Sequence, residues 1–303
     1  FEFDERKVEM KTVHDFKEYQ IIDMASGMKL ENWNGVILRR PDPQIIWTDK
    51  QTSEKHKIDA YYERSSSGGG SWHIQNPDLK DSWTVHYRDL VFGLKLMGFK
   101  HTGLFPEQAY NWNLIRTKIR DSKRPLKVLN LFAYTGAASI AALREGASVV
   151  HVDSSRGMID WAKENVKLNH LEDKNIRFLV DDVVKFVKRE IRRGNKYDII
   201  LMDPPSFGRG SRNEVWNIEK DLYALIQDCV EILSDQPVLF LVNSYSTGLS
   251  KTILENILRL TVNKKYPGFL SSDELGIQMQ DSPLYLPCGI YARWESELSS
   301  FEH

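Results

Sequence analysis

Cysteine is nearly absent from this chain: Cys229 and Cys288 are the two thiols in 303 residues. They cannot build a disulfide framework, and neither sits in a metal-ligand spacing. A reducing, cytoplasmic setting and a site without metal are the expectation. Long apolar runs are missing too, so no membrane-spanning helix is expected, and no stretch reads as a signal peptide. Excess charge of either sign is lacking, since the formal net charge is −1. Bulk charge therefore does not announce a polyanionic partner. The basic run Lys185–Arg193 reads as a solvated helix face. Internal repeats are not evident. Two glycine patterns are also absent: Gly-x-Gly-x-x-Gly, which admits a pyrophosphate, and the Walker A loop. Their absence counts against a dinucleotide-dependent oxidoreductase and a nucleotide triphosphatase.

What is present has two textures. Residues 1–104 are rich in aromatics and short extended runs. Tyr19–Met24, Gly35–Arg39, Gln44–Thr48 and Thr84–Tyr87 read as strands, separated by turns such as Ser26-Gly27, Asn34-Gly35 and Pro41-Asp42-Pro43. Ser65-Ser66-Ser67-Gly68-Gly69-Gly70 reads as a hairpin tip, with a substrate-facing lid as the alternative. Trp33, Trp47, Trp72 and Trp83 are read as that region's core, with base stacking as the alternative. From about residue 105 onward a second domain is expected.

In that second part strands and helices alternate. Val128–Phe132, Val149–Val152, Ile176–Val180, Tyr197–Met202 and Val238–Val242 are apolar strands. Helices are predicted over Thr135–Arg144, Ser155–Asn169, Val183–Arg193, Ile218–Leu233 and Lys251–Val262. Gly276–Gln280 and Ile290–Trp294 are late extended runs suited to antiparallel pairing. Alternation of this kind implies βαβ units and a mainly parallel sheet, an α/β fold. Ligands of such sheets bind beyond the carboxyl ends of the strands, at the switch in strand order.

The polar residues therefore matter most at the strand ends. After the first strand, Phe132-Ala133-Tyr134-Thr135-Gly136 turns into a helix with small residues and a single tight glycine. Such a turn admits a ligand close to the backbone and offers it helix N-terminal N–H groups. The second strand ends at Asp153-Ser154-Ser155, where a carboxylate can accept two hydrogen bonds from a ribose diol; capping of the next helix is the alternative. The third ends at Asp181-Asp182, either of which can accept from an adenine amino group or cap a helix. The fourth ends Asp203-Pro204-Pro205-Ser206-Phe207. Two consecutive prolines stiffen the chain where the sheet opens, and an acid with a nearby aromatic can orient and stack a planar substrate.

Taken together, Leu129–Gly136, His151–Ser155, Trp161–Leu168 and Tyr197–Phe207 resemble the class I S-adenosylmethionine-dependent methyltransferases. The likeness is to the bacterial ribosomal-RNA large-subunit methyltransferases, in the branch that includes the 23S cytosine-C5 enzymes. Thr102-Gly103-Leu104-Phe105-Pro106-Glu107-Gln108 resembles a family motif placed against the cofactor, and Leu284–Leu286 with Ile290–Arg293 its closing hairpin. The resemblance covers about residues 101–294. It implies a Rossmann-like fold with a mainly parallel seven-stranded sheet and a C-terminal antiparallel hairpin, beside a smaller β-rich N-terminal region.

It further implies S-adenosyl-L-methionine as cofactor, packed by Phe105 and Gln108. Asn130, Ala133, Tyr134, Thr135 and Gly136 would line the methionine end, Asp153, with Ser154 and Ser155 beside it, would hold the ribose, and Asp181-Asp182 the adenine, through Asp182. Asp203, Pro204, Pro205 and Phe207 would border the transferred methyl. Asn243, Ser244 and Tyr245, after the fifth strand, are candidate substrate ligands or ordinary strand-end residues.

Two departures from the family pattern carry weight. Its Asp-Gln-Arg triplet reads Glu107-Gln108-Ala109 here. Cytosine-C5 methylation requires a cysteine thiolate to attack C6 of the ring, and the family's cysteine position after the fifth strand reads Asn243-Ser244-Tyr245-Ser246. Cys229 falls on the apolar face of a helix, and Cys288 is expected before the last strand, away from the strand ends. The expectation is methyl transfer to a nitrogen or oxygen of RNA, with ribosomal RNA foremost. A binding scaffold without turnover, or a protein or small-molecule substrate, are the alternatives.

Overall fold

The computed structural model describes residues 10–210 and 213–297. The described residues divide into two units, one built from Thr12–Ala109 with Gly276–Leu286, the other from Tyr110–Leu275 with residues 10–11 and 287–297.

The first unit contains β1 (Tyr19–Ala25), β2 (Met28–Trp33), β3 (Val36–Pro41), β4 (Ala60–Arg64) and β5 (Gly70–Ile74), which form one five-stranded sheet in sequence order. β6 (Trp83–Tyr87) and β7 (Leu90–Leu94) form a separate hairpin. Alternation sorts the sheet's faces: Leu38, Ala60 and Tyr62 point to the core, while Arg39 and Tyr61 point the other way. One expectation fails here, and β2, β4, β5 and β7 were not foreseen. Met28–Trp33 is a strand that the sequence reading missed, because its alternation includes a buried glutamate. Glu31 is fully buried and bonded by Arg40 and the Tyr19 hydroxyl at 2.6–2.7 Å. Gln44–Thr48 is not a strand. It is an irregular segment whose carbonyls at Ile45 and Trp47 accept from Gly27 and Ser26. Ser65–Gly69 does form the tip between β4 and β5.

The tryptophans of this unit are structural. Trp33 is wholly buried, and the indole N–H groups of Trp47, Trp72 and Trp83 donate to the backbone carbonyls of Met24, Phe99 and Trp33.

The second unit runs α1 (Ala109–Ser122), β8 (Lys127–Leu131), α2 (Ala137–Arg144), β9 (Ser148–Asp153), α3 (Arg156–Leu168), β10 (Ile176–Val180), α4 (Val183–Arg193) and β11 (Ile199–Met202). A short hairpin, β12 (Phe207–Arg209) and β13 (Val215–Asn217), precedes α5 (Ile218–Val230), β14 (Leu239–Ser244), α6 (Lys251–Leu260) and α7 (Val262–Lys265). The last strands are β15 (Gly268–Gln278) and β16 (Tyr285–Ser296).

The seven-stranded sheet has the order β10-β9-β8-β11-β14-β16-β15. β8 to β11, β14, β9 and β10 are parallel neighbours, and β16 joins β14 antiparallel. The central strands are buried because helices cover both faces: all residues of β11 and β14 are buried, the polar Asn243 and Ser244 at the end of β14 included. Strand order reverses between β8 and β11, which opens a crevice at their carboxyl ends.

The run Lys185–Arg193 lies on α4, where Lys185 pairs with Glu214, Arg189 with Asp181 and Arg193 with Glu190. Among the described residues no helix is long and apolar enough to cross a membrane.

Candidate active site

The turn from β8 into α2 is strained. Phe132, Tyr134 and Gly136 have φ of 54°, 54° and 87°. For the two non-glycine residues the left-handed conformation costs roughly 1–2 kcal/mol each. Such strain persists where the surroundings over-determine it, and it concentrates at ligand sites. Gly136 is further fixed by packing: a Cβ there would lie 3.1 Å from Ala162 Cβ and 3.2 Å from His151 Cε1.

Beneath the turn runs a buried polar chain. The Asn130 amide donates to Ser139 Oγ at 2.9 Å, and Ser139 meets His151 Nδ1 at 2.9 Å. Ser139 thus links the Asn130 amide to the His151 imidazole. Burial holds the ring neutral, its pKa pushed down to about 3. Ser139 and His151 were not foreseen. Their signal was present, as polar residues inside the apolar stretches of α2 and β9.

Asp153 ends β9. One carboxylate oxygen accepts from the Tyr134 amide and the other from the Ser155 amide, both at 2.9 Å. It thereby clamps the strained turn to the neighbouring strand. Helix α3 is capped by Ser155, whose Oγ accepts from Met158 N, so Asp153 is not that cap. Burial raises the Asp153 pKa, and the two amide bonds pull it partly back. Ser154 is exposed. At the end of β10 the two acids have separate partners. Asp181 pairs with Arg189, and Asp182 caps α4 by accepting from Lys185 N.

At the end of β11, Asp203 is half-buried, Pro204 buried and Pro205 exposed. The Pro205 carbonyl accepts from Trp216 Nε1 at 2.7 Å, and the Ser206 carbonyl from Ile218 N at 3.0 Å. Ser206 Oγ meets Ser246 Oγ at 2.6 Å, which ties the loop after β11 to the loop after β14. The proline corner is therefore held from three sides. Phe207 is 54% exposed, and the Arg209 guanidinium lies 6.0 Å from its ring centroid.

The three candidates separate: Asn243 and Ser244 are the last residues of β14, which runs further than the sequence suggested, and only Tyr245 follows it. Asn243 is buried and accepts from Asn111 Nδ2 at 2.9 Å; Ser244 is buried and accepts from Ser246 N at 3.1 Å. Tyr245 is 37% exposed, with its ring over Gly289. Phe105 and Gln108 lie in the other unit, flanking and ending a short 3-10 helix, Pro106–Gln108.

The thiols need one correction. Cys229 is fully buried, and burial drives its pKa far up. Cys288, however, lies inside β16, two residues from Ile290, the partner of Ser244. It stands nearer the strand ends than its sequence position suggested, because β16 runs antiparallel and brings its early residues to that edge.

S-Adenosyl-L-methionine fits this arrangement. Asp153 retains acceptor capacity beyond its two amide bonds and could accept from the ribose diol. The methionine carboxylate has a helix N-terminus to approach. α3, α4, α5 and α6 each have a side-chain cap, whereas α2 begins at Gly136 with none.

An open, mainly parallel seven-stranded sheet, switching order beside a strained turn, an acid and a proline corner, defines a Rossmann-like class I methyltransferase. The chain belongs to the S-adenosylmethionine-dependent methyltransferase family, whose sequence profile matches residues 38–260. It is an enzyme of that family, with S-adenosylmethionine as cofactor. A crystal structure of the SAM-dependent methyltransferase from Agrobacterium tumefaciens is similar over 94% of this chain and 93% of that one, at 35% identity and a TM-score of 0.90. SMU.776, a methyltransferase-fold protein crystallised with SAH, is similar over 93% of this chain and 76% of that one. Its TM-score is 0.70, and at 19% identity it supports the fold alone. Among curated proteins, the ribosomal RNA large subunit methyltransferase K/L of Pseudoalteromonas atlantica is 38% identical over 144 residues. That match spans 47% of this chain but 19% of the relative. The chain thus corresponds to a small part of that protein.

Proposed function

We propose that this enzyme methylates RNA, with large-subunit ribosomal RNA foremost, at a nitrogen or oxygen rather than at cytosine C5. Similarity to proteins named as ribosomal RNA large subunit methyltransferases supports the substrate class. The observation that carries the choice of atom is the pairing of the residues that end β14 with protein partners and the absence of a thiol among them. Asn243 and Ser244 are buried and hydrogen-bonded. Cys288 is on β16, two strands from β11 in the order β11-β14-β16, about 10 Å away at the usual interstrand spacing. A thiolate that must bond to ring C6 while Asp203 borders C5 needs to be closer.

In this reading Asp153 holds the ribose, Asp182 offers its remaining acceptor capacity to the adenine, and Asn130 and Ala133–Gly136 line the methionine end. Phe105 and Gln108 pack and orient the cofactor, as the family resemblance implies. The cofactor supplies a methyl already activated on a sulfonium. The protein's task is alignment and an exit for one proton. Asp203 and the Pro204 carbonyl accept hydrogen bonds from the target group and aim its lone pair. Phe207 and Tyr245, the two exposed aromatics here, flank the target ring.

The test is methylation of ribosomal RNA from a strain lacking the gene, with products identified by mass spectrometry. A new N- or O-methyl mark is expected, and Cys288→Ser should leave it in place. A C5 mark, or its loss in Cys288→Ser, would overturn the choice of atom. An unchanged modification pattern would overturn the substrate.

A further inference from the structure

Residues 95–102 form a turn packed against the end of β3 and the middle of β5. The Lys95 and Met97 amides donate to the Thr102 and His101 carbonyls at 3.2 and 3.3 Å. The sheet pins the turn: Trp72 Nε1 donates to the Phe99 carbonyl and Arg40 Nη1 to the Lys100 carbonyl, both at 3.0 Å. Lys100 Nζ returns a bond to the Pro41 carbonyl at 3.2 Å. The backbone of the turn is thus fixed, yet Phe99 is 65% exposed. Among the described residues, no aromatic ring or cation packs on its ring.

A single exposed phenyl ring is ordinary. The charges beside this one are not fully matched. Arg64 ends β4 on the face of Tyr62, which lies opposite Trp72 on β5. Its guanidinium is exposed and has no hydrogen-bond or ion-pair partner among the described residues. Lys100 stands within the fields of Arg64, Lys29 and Arg40. Two of these cations are neutralised, Arg40 by Glu31 and Lys29 by Asp42 at 3.7 Å. Lys100 has no ion pair among the described residues. Burial, with the charges of Lys29, Arg64 and Arg40, pushes its pKa down to about 8, and Asp42 opposes this only in part. Positive potential at Lys100 therefore exceeds what the nearby acids cancel. Glu63, next to Arg64 in sequence, points to the opposite face and pairs with His73 at 3.0 Å. A free aromatic face on a fixed backbone, beside two uncompensated cations, matches a nucleotide, which brings a π face and a phosphate.

We propose that this corner of the sheet receives one nucleotide of single-stranded RNA, its base stacked on Phe99 and its phosphate held by Arg64 and Lys100. The inference rests on the RNA reading above and adds a contact outside the methyl-transfer centre. A phenyl ring accepts any base, so the contact contributes affinity rather than choice of target. The phosphate relieves repulsion among the cations, and the turn that carries Phe99 and Lys100 is already fixed, so little ordering of the backbone opposes binding.

The test uses the full chain with S-adenosylhomocysteine and a fluorescein-labelled oligouridine of about ten nucleotides, read by polarisation. Phe99→Ala should weaken binding about tenfold, within the usual range for one stacked base, and Phe99→Tyr should leave it intact. Arg64→Gln should lower the slope of log affinity against log salt by about 0.7, the value for one phosphate on a single strand, and Arg64→Lys should preserve it. Both positions are exposed, and unchanged melting with S-adenosylhomocysteine certifies the fold of each variant. If Phe99→Ala and Arg64→Gln both bind the oligonucleotide like wild type while wild type still methylates ribosomal RNA, the nucleotide site is wrong and the function stands. If wild type neither binds the oligonucleotide nor methylates ribosomal RNA, both fall. Weakening in Arg64→Gln with none in Phe99→Ala would reduce the site to charge alone, as would an oligo-aspartate bound as tightly as the RNA, and either result overturns the proposal.

Discussion

Asp153→Ala is the perturbation that bears most directly on the site. The carboxylate holds the Tyr134 and Ser155 amides at 2.9 Å, and its remaining acceptor capacity is assigned to the ribose. Hydrogen bonds to a charged group contribute roughly 1.5–3 kcal/mol each. Loss of two to a ribose, discounted for non-additivity, predicts an affinity for S-adenosylhomocysteine weaker by about 100-fold or more. The consequence for melting is direct. Ligand at about 100 times Kd stabilises the folded state by roughly 2.7 kcal/mol, and at a Kd about 100-fold weaker by only about 0.4 kcal/mol. The substitution also frees the strained turn, so the ligand-free protein should lose roughly 2–4 kcal/mol through the two amides, after the same discount for non-additivity. Isothermal titration and thermal melting with and without ligand separate the two effects. Ligand stabilisation that survives the substitution undiminished would refute the ribose assignment. The pH dependence gives an independent check. Burial raises the folded-state pKa of Asp153 above its ordinary value of 3.8. The ligand-free fold therefore binds more protons than the unfolded chain between those two values, and this group's contribution to stability falls as pH rises through that window. The ionised form accepts from the ribose, so ligand affinity should do the reverse and fall on acidification through the raised pKa. Asp153→Asn should flatten both trends.

Gly136→Ala adds a Cβ at a φ of 87° and 3.1 Å from Ala162 Cβ; destabilisation of about 1–3 kcal/mol in a denaturant titration is expected, with weakened cofactor binding. Phe207→Ala removes an exposed ring, so melting and S-adenosylhomocysteine affinity should hold while kcat/KM for RNA falls about tenfold. Glu31→Gln breaks the buried pair with Arg40, at a cost of about 3–5 kcal/mol measured by chemical unfolding. Burial opposes ionisation of Glu31, but Arg40 outweighs it and holds the carboxyl at about 2, below its ordinary 4.5. The pair's stabilisation is thus complete above pH 4.5 and fades as pH falls towards about 2, and the acid-unfolding profile of the variant should lack that component.

From β8 on, the main strands and helices of the larger unit were legible because hydrophobic period is a local property, whereas α1 and the β12–β13 hairpin were not foreseen. Val183–Arg193 is a helix from end to end as its spacing predicts, with Asp182 capping it and Gly194 closing it. The proline corner was equally legible, since two consecutive prolines constrain their own backbone whatever surrounds them. Local pattern misled where a distant partner overrode it. Met28–Trp33 hides a strand behind a charged residue that Arg40 and Tyr19, on the two flanking strands, make tolerable. Gln44–Thr48 has the composition of a strand, yet its segment bonds to the 26–27 turn rather than to a ladder.

The site divides along the same line. Composition and spacing were enough to establish that acids and a stiff corner lie where parallel strands end, because each of those residues follows its own strand. Tertiary structure alone decided what each one does. Asp153 clamps a strained turn and leaves the cap of α3 to Ser155, Asp182 caps α4, and Asn243 is tied to Asn111 across the fold. A carboxylate or amide has several lone pairs and donors, and which of them remain for a ligand depends on neighbours that the linear sequence holds far apart.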